Sequence, residues 1–212
     1  LLKISLLEIH SVELTHLIDQ SSDSWDSSKS LNVSTSKRLI IPTSCFFFEL
    51  KKVELMKVLF RVIGKTSEKY LTTGIEMYAK RLRHYLPFEM EVLPDIRQAK
   101  NLSNGQLMQK EGELLLNRLT NEDFLILLDE NGKAFTSVDF AGYLERQLQL
   151  PFRRLIFQVG GAFGFSDEVY ARANAKLALS PMTFSHQMAR LFFLEQLYRA
   201  MTILRNEPYH NN

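Results

Sequence analysis

The sequence predicts an α/β protein, a mainly parallel sheet covered by helices. Two observations predict it. From Met56 to the end of the chain, short apolar or alternating runs are each followed by a helix-periodic stretch, five times over. Each strand-like run also closes on turn-forming residues: Gly64, Pro94, Asp129 to Gly132, the glycines at 160–164, and Ser180-Pro181.

The elements follow in order. "KVLFRVIGK" (57–65) is β-branched and apolar. The helix after it carries Leu71, Ile75, Tyr78, Leu82 and Tyr85 at three- and four-residue intervals. "FEMEVLPDI" (88–96) alternates like a half-buried strand. "LSNGQLMQKEGELLLNRL" reads as a helix with Ser103 as its N-cap. "FLILLDENGK" is a buried strand stopped by Asp-Glu-Asn-Gly, and "TSVDFAGYLERQLQ" a helix ending before Pro151. "RRLIFQVGGAFGF" is a strand breaking into glycines, followed by the short helix "SDEVYARAN" with Ser166 as its cap. "AKLALS" is the fifth strand, and a closing helix is expected from Phe184 to Leu204.

Composition divides the chain unequally. Residues 1–55 hold no glycine and no methionine, and include the Ser/Asp/Lys-rich tract "DQSSDSWDSSKSLNVSTSKR", too polar to build a core. They are expected to be a non-native or disordered extension, upstream sequence translated from a misplaced start; a partner-binding arm is the other reading. The apolar and charged fractions are those of a globular domain. A net charge of +2 is too small to argue for a nucleic-acid partner by bulk electrostatics. One cysteine, Cys45, excludes an intramolecular disulfide framework and suits a cytoplasmic location. Histidines at 10, 16, 84, 186 and 210 have no metal-ligand spacing. No stretch approaches the roughly 20 apolar residues of a membrane span.

In an open α/β sheet, ligands gather at the carboxyl ends of strands. Three successive exits share one chemistry: residues 127–132, residues 160–164, and Ser180 to Ser185. Glycines admit a ligand close to the main chain, and such loops offer N–H and C=O groups in place of charged side chains. Singly, each loop reads as a turn; together they point to a shared ligand site. "GGAFGF" lacks the G-x-G-x-x-G spacing, follows the fourth strand instead of the first, and is not followed by Lys-Ser or Lys-Thr. Dinucleotide and P-loop readings are therefore disfavoured. So is a hydrolytic triad, since no G-x-S-x-G elbow is present. His186 is read as structural, packing or capping at a helix start.

The closing helix is apolar around nearly its whole circumference, which requires burial on more than one side. A homodimer interface is the natural reading of that requirement; a deep position within the domain is the alternative. Arg190, Glu195 and Arg199 interrupt the apolar surface and must be paired or meet a ligand. Past Pro208, Tyr209 and His210 are able to stack on a base or hydrogen-bond to it. "KRLRHY" (80–85) and Arg153-Arg154 are candidate phosphate contacts, with a solvated surface as the alternative.

"LLDENGK", "GGAFGFS", "LALSPMTFSHQMARLFFLEQLYRA" and the terminal "NEPYH" closely resemble, in order and spacing, the motifs of the RlmH family. These are small SPOUT-class methyltransferases that modify a pseudouridine in bacterial 23S rRNA. The resemblance covers 56–212, about three quarters of the chain, and residues 1–55 have no counterpart in it. It implies an α/β-knot fold with a C-terminal trefoil. It implies S-adenosyl-L-methionine held by Leu128, Gly160, Gly161, Ser180, Pro181, Met182, Thr183, Phe184 and Ser185. It implies a homodimer in which the tail of one subunit completes the site of the other, with Arg199, Tyr209 and His210 engaging the target base. The implied reaction is methylation of N3 of a pseudouridine in 23S rRNA within the assembled 70S ribosome, in the cytoplasm, with no metal. A non-catalytic RNA-binding protein that keeps the knot is the alternative. One departure is visible: Asn211 and Asn212 stand where a basic residue is expected.

Overall fold

The computed structural model describes residues 56–210; the expectations for residues 1–55, Asn211 and Asn212 lie outside the described residues. Five strands form one all-parallel sheet in the order β2-β1-β4-β3-β5. β1 (Lys57–Ile63) and β4 (Arg154–Val159) lie centrally and are buried almost throughout, as strands covered on both faces must be. β2 (Phe88–Leu93) is one edge and β5 (Ala175–Ala178) the other, beyond β3 (Asp123–Ala134).

Side chains alternate across the sheet with the period of two that a strand dictates. Val58, Phe60 and Val62, with Leu155, Phe157 and Val159, join one core with α1 (Lys69–Leu82), α3 (Ser137–Leu148) and α5 (His186–Leu204). Leu59 and Ile63, with Leu125, Leu127 and Ile156, join another with α2 (Asn104–Leu116) and α4 (Asp167–Arg172). α5 packs against both α1 and α3. Its Phe193 ring sits 4.9 Å from Phe60 and 4.7 Å from Phe157. That central position explains most of its all-round apolarity within the domain. Phe192 remains exposed on α5, as do Tyr70 and Met77 of α1 and Val138 of α3.

Caps set most helix starts. Ser103 forms a full capping box with Gln106, and the Thr136 hydroxyl accepts from Asp139 N–H. α5 begins at His186, two residues later than the periodicity predicts, because the Ser185 hydroxyl accepts from Met188 N–H at 3.3 Å. Ser166 precedes α4 as expected, but its hydroxyl makes no cap bond; it lies against Gly112 of α2, where a Cβ would meet it at 2.4 Å.

One strand departs from expectation. Asp-Glu-Asn-Gly does not stop β3: Leu128 and Lys133 both lie opposite Leu177, and Ala134 pairs with Ala178. The four residues between bulge outward while the strand resumes its ladder with β5. Gly132 makes this possible, since a Cβ there would lie 2.6 Å from the Leu177 backbone.

Candidate functional site

The three strand exits converge on one cavity of about 530 Å³, within the range of about 300–1,000 Å³ typical of ligand pockets. Leu128, Gly160, Gly161, Ser180, Met182, Thr183, Phe184 and Ser185 all line it. Pro181 shares the third loop but is exposed and does not line the cavity. The glycine loop folds back on itself, with Gly164 N–H donating to Gly161 C=O at 3.3 Å and Gly164 at φ 85°. In the third loop the Ser180 hydroxyl accepts from Met182 N–H at 2.9 Å. Both loops thus hold themselves and leave main-chain groups for a ligand.

The wall formed by the β3 bulge is acidic. Asp129 accepts from Asn131 N–H at 2.8 Å and from the Tyr170 hydroxyl at 2.5 Å. Burial, then that bond to Asp129, pushes the Tyr170 hydroxyl up to about 12, so it remains a donor. Asp129 and Glu130 line the cavity, and none of the described lining residues is a lysine or arginine. Tyr170 was not singled out by the sequence; it arrives from α4, and only the fold places it there.

His186 lines the cavity too, a position more exposed to a ligand than the packing role read from the sequence. Burial, and then the nearby Arg190 cation, lowers its pKa and so favours the neutral ring. Arg190 itself is buried and anchors the exit of β1, donating to Gly64 C=O at 2.9 Å, Ile63 C=O at 2.6 Å and the Thr66 hydroxyl at 3.0 Å.

Arg199, Tyr209 and His210 form a second cluster, brought together by the tail folding back on α5. Arg199 donates to Glu195 through Nε at 3.1 Å and Nη2 at 2.5 Å, and its guanidinium lies 4.8 Å from the centre of the Tyr209 ring. The Glu195 hydrogen bond raises the Arg199 pKa further. The Tyr209 hydroxyl donates to Glu195 at 3.1 Å and lies 3.3 Å from the Tyr78 hydroxyl. Burial, followed by these hydrogen-bonded neighbours, holds the Tyr209 hydroxyl protonated well above its ordinary range. His210 Nδ1 lies 3.5 Å from Arg199 Nη1, and the Tyr85 hydroxyl bonds Glu207. The structure does not bring this cluster to the cavity of the same chain. His186 and Arg199 are thirteen residues apart on one helix, about 20 Å at 1.5 Å per residue.

Arg153 and Arg154 lie elsewhere, at the opposite end of the strands. Arg154 holds buried Asp123 at 2.5 Å and 2.6 Å, and Arg153 lies 3.6 Å from Glu122. Arg154 is therefore committed to the fold.

Residues 56–210 match the family model described as "Predicted SPOUT methyltransferase". A protein of Parabacteroides distasonis named ribosomal RNA large subunit methyltransferase H is 57% identical over 156 residues, 74% of this chain and 99% of that protein. A protein of the same name from Christiangramia forsetii is 56% identical over 149 residues, 70% of this chain and 95% of that one. The solved structure of a probable methylase family protein from Haemophilus influenzae aligns with a TM-score of 0.41 and 12% identity, over 74% of this chain and 72% of that one.

Proposed function

The chain belongs to the SPOUT methyltransferase family, and from that premise we propose that it methylates N3 of a pseudouridine in 23S rRNA, using S-adenosyl-L-methionine. Methylation of large-subunit ribosomal RNA is its activity, in common with its relatives; the donor, the atom and the division of labour below are the proposal.

One observation carries the donor: the cavity is lined by glycines, hydroxyls and aromatic residues with two carboxylates, and no lysine or arginine is among its described lining residues. A phosphate-bearing cofactor would meet negative charge there, whereas a phosphate-free cation with hydroxyls and an adenine fits. Leu128, Gly160, Gly161 and the Ser180 to Ser185 loop would hold it through backbone groups, and Asp129 and Glu130 face its positive charge. When bound, the donor supplies a methyl group on a sulfonium, so transfer forms an N3–carbon bond, breaks a sulfur–carbon bond and releases the N3 proton.

The tail supplies the rest. Arg199, kept cationic by Glu195, stabilises negative charge developing on a neighbouring carbonyl of the base. Tyr209 is held protonated and serves as a hydrogen-bond donor, leaving His210 to accept the N3 proton. Because the tail cluster and the cavity stand apart on α5, the active site is assembled in a homodimer, each cavity facing the partner's tail. The exposed apolar residues Tyr70, Met77, Val138 and Phe192 support that pairing. The same proposal includes the C-terminal trefoil, supported by α5 returning from edge strand β5 to lie over central β1 and β4. The assembled 70S ribosome in the cytoplasm is the substrate; no described helix is long and apolar enough to cross a membrane.

Mass spectrometry of 23S rRNA from a strain lacking the protein tests this. Loss of one N3-methyl-pseudouridine is expected, and its persistence would contradict the assignment. Calorimetry with S-adenosylmethionine tests the donor: absent binding would leave a non-catalytic RNA-binding protein.

A further inference from the structure

We propose that the C-terminal end of α1 and the corner where α5 meets the tail form a phosphate-contacting surface that grips the RNA backbone beside the target base. The proposal rests on the RNA-methyltransferase reading and names a surface which that reading leaves open.

Four tyrosines build one block at this corner. The Tyr198 ring lies 5.8 Å from Tyr78, 5.6 Å from Tyr85 and 4.9 Å from Tyr209. Guanidinium groups cover it from several sides. Arg81 lies 5.6 Å from the centre of Tyr78 and 5.4 Å from that of Tyr198, and Arg205 lies 4.5 Å from Tyr85. Arg199, on Tyr209, continues the same array into the catalytic cluster. Lys80, Arg81, Arg83, His84 and Arg205 are all exposed. No described carboxylate forms an ion pair with Lys80, Arg81, Arg83 or Arg205, whereas Arg118, Arg153 and Arg154 are each paired. The adjacent Glu207 carboxylate is engaged by the Tyr85 hydroxyl.

An unpaired arginine on an ordinary solvated face gains nothing by being held. Here the guanidinium carbons of Arg81 and Arg205 lie over tyrosine rings, which restrains the cations while the guanidinium keeps N–H donors able to meet a phosphate. Arg205 also donates to Tyr85 C=O at 3.2 Å, tying the tail corner to the end of α1. The surface therefore combines restrained cations with a tyrosine block that reaches Tyr209 through Tyr198 and Tyr78. The subunit that supplies the tail thus also supplies the grip on the RNA, while the partner's cavity supplies the donor.

The test is the salt dependence of binding to 70S ribosomes purified from a strain lacking the protein. An Arg81→Gln, Arg83→Gln, Arg205→Gln triple variant is compared with wild type, with Arg153→Gln as control. Each phosphate contact adds about 0.7–0.9 to the slope of log affinity against log salt concentration. The triple variant is expected to lose about 2 from that slope and at least about tenfold in affinity at fixed salt, with S-adenosylmethionine binding unchanged by calorimetry. The corresponding triple Lys variant, which keeps the charge, should hold the slope. Arg83→Gln alone, at an exposed site whose side chain forms no ion pair among the described residues, should lose about 0.7–0.9 and covers the case of a misfolded triple variant. A wild-type slope in the Gln variants, or an equal loss in Arg153→Gln, overturns the proposal. Failure of the wild type to bind S-adenosylmethionine would instead sink the donor assignment, leaving the slope comparison to decide this surface.

Discussion

The two ends of α5 are built from opposite materials. At the His186 end, loops bring main-chain groups, glycines and carboxylates around a cavity whose described lining holds no lysine or arginine. At the Arg199 end, long side chains stack, cation on ring, and the main chain contributes little beyond the turn of the tail. That contrast suits one small domain to the two ligands of opposite charge proposed above. On that proposal a cationic donor is received by backbone and acid, and a polyanionic RNA by arginine and tyrosine. Since a rigid helix keeps the ends about 20 Å apart, the charges of one site do not disturb the other, and the proposed homodimer is what would join them.

The largest way to break this comparison is Arg199→Ala. If the ends are independent, methyl transfer falls about 10²–10³-fold, about 2.7–4 kcal/mol of transition-state stabilisation, while S-adenosylmethionine affinity stays within about twofold of wild type. A matching loss of cofactor binding, read by calorimetry, would merge the two regions into one. The converse is Gly132→Ala. Its Cβ would meet the Leu177 backbone, which has no flexible end to move, so β5 must shift at a cost of about 3 kcal/mol. Thermal unfolding should register that loss, and cofactor binding should fail with it. Unchanged stability would mean the bulge is not pinned as described.

Asp123→Asn probes neither site, and so calibrates both. Burial pushes the Asp123 carboxyl upward, but the bonds from Arg154 and Thr120 outweigh it and hold the pKa below the usual range. Asp123 is buried while Arg154 keeps a partly exposed side chain, and loss of the pair should cost about 2 kcal/mol. Because the folded pKa is depressed, that stability is fully present above the unfolded value of about 3.9 and disappears as pH falls below it. Denaturant melts across pH 2–6 (roughly spanning that carboxylate value) should show a shallower acid loss in the variant, with cofactor affinity untouched.

The smallest effect concerns His186. Its pKa is lowered by burial and by Arg190, which favours the uncharged ring. Cofactor affinity should be flat from about pH 8 to pH 6.5 and weaken only below, as a charged ring comes to oppose a cationic ligand. His186→Gln should remove that fall; an identical pH profile in the variant would leave His186 no part in the cavity.

What the sequence revealed divides along the same line. The cavity was legible because its chemistry is local: Gly160, Gly161 and Ser180 to Ser185 announce themselves by residue type at strand exits. The return of β3 after Gly132 was not, because a ladder to Leu177 and Ala178 is made by a strand more than forty residues away. Tyr170 escaped notice for the same reason. At the other end, Arg199, Tyr209 and His210 stood out by residue type, but their shared role came from family resemblance, since nothing in "NEPYH" states that it folds back on Glu195 and Tyr78. Arg81 and Arg154 looked equivalent as basic residues in sequence. Only the fold shows one stacked on tyrosines and the other locked to Asp123.

The central claim is that a cavity from one subunit works with a tail from the other. Two variants test it directly: Gly161→Val, which fills the glycine loop where a Cβ already meets the Glu111 carboxylate, and Arg199→Ala. Each alone should be nearly inactive on 70S ribosomes. Unfolded and refolded together, half of the dimers should be mixed, each with one intact cavity facing one intact tail, restoring roughly a quarter of wild-type turnover. No recovery above the separate variants, with mixed dimers confirmed by native mass spectrometry, would contradict the account.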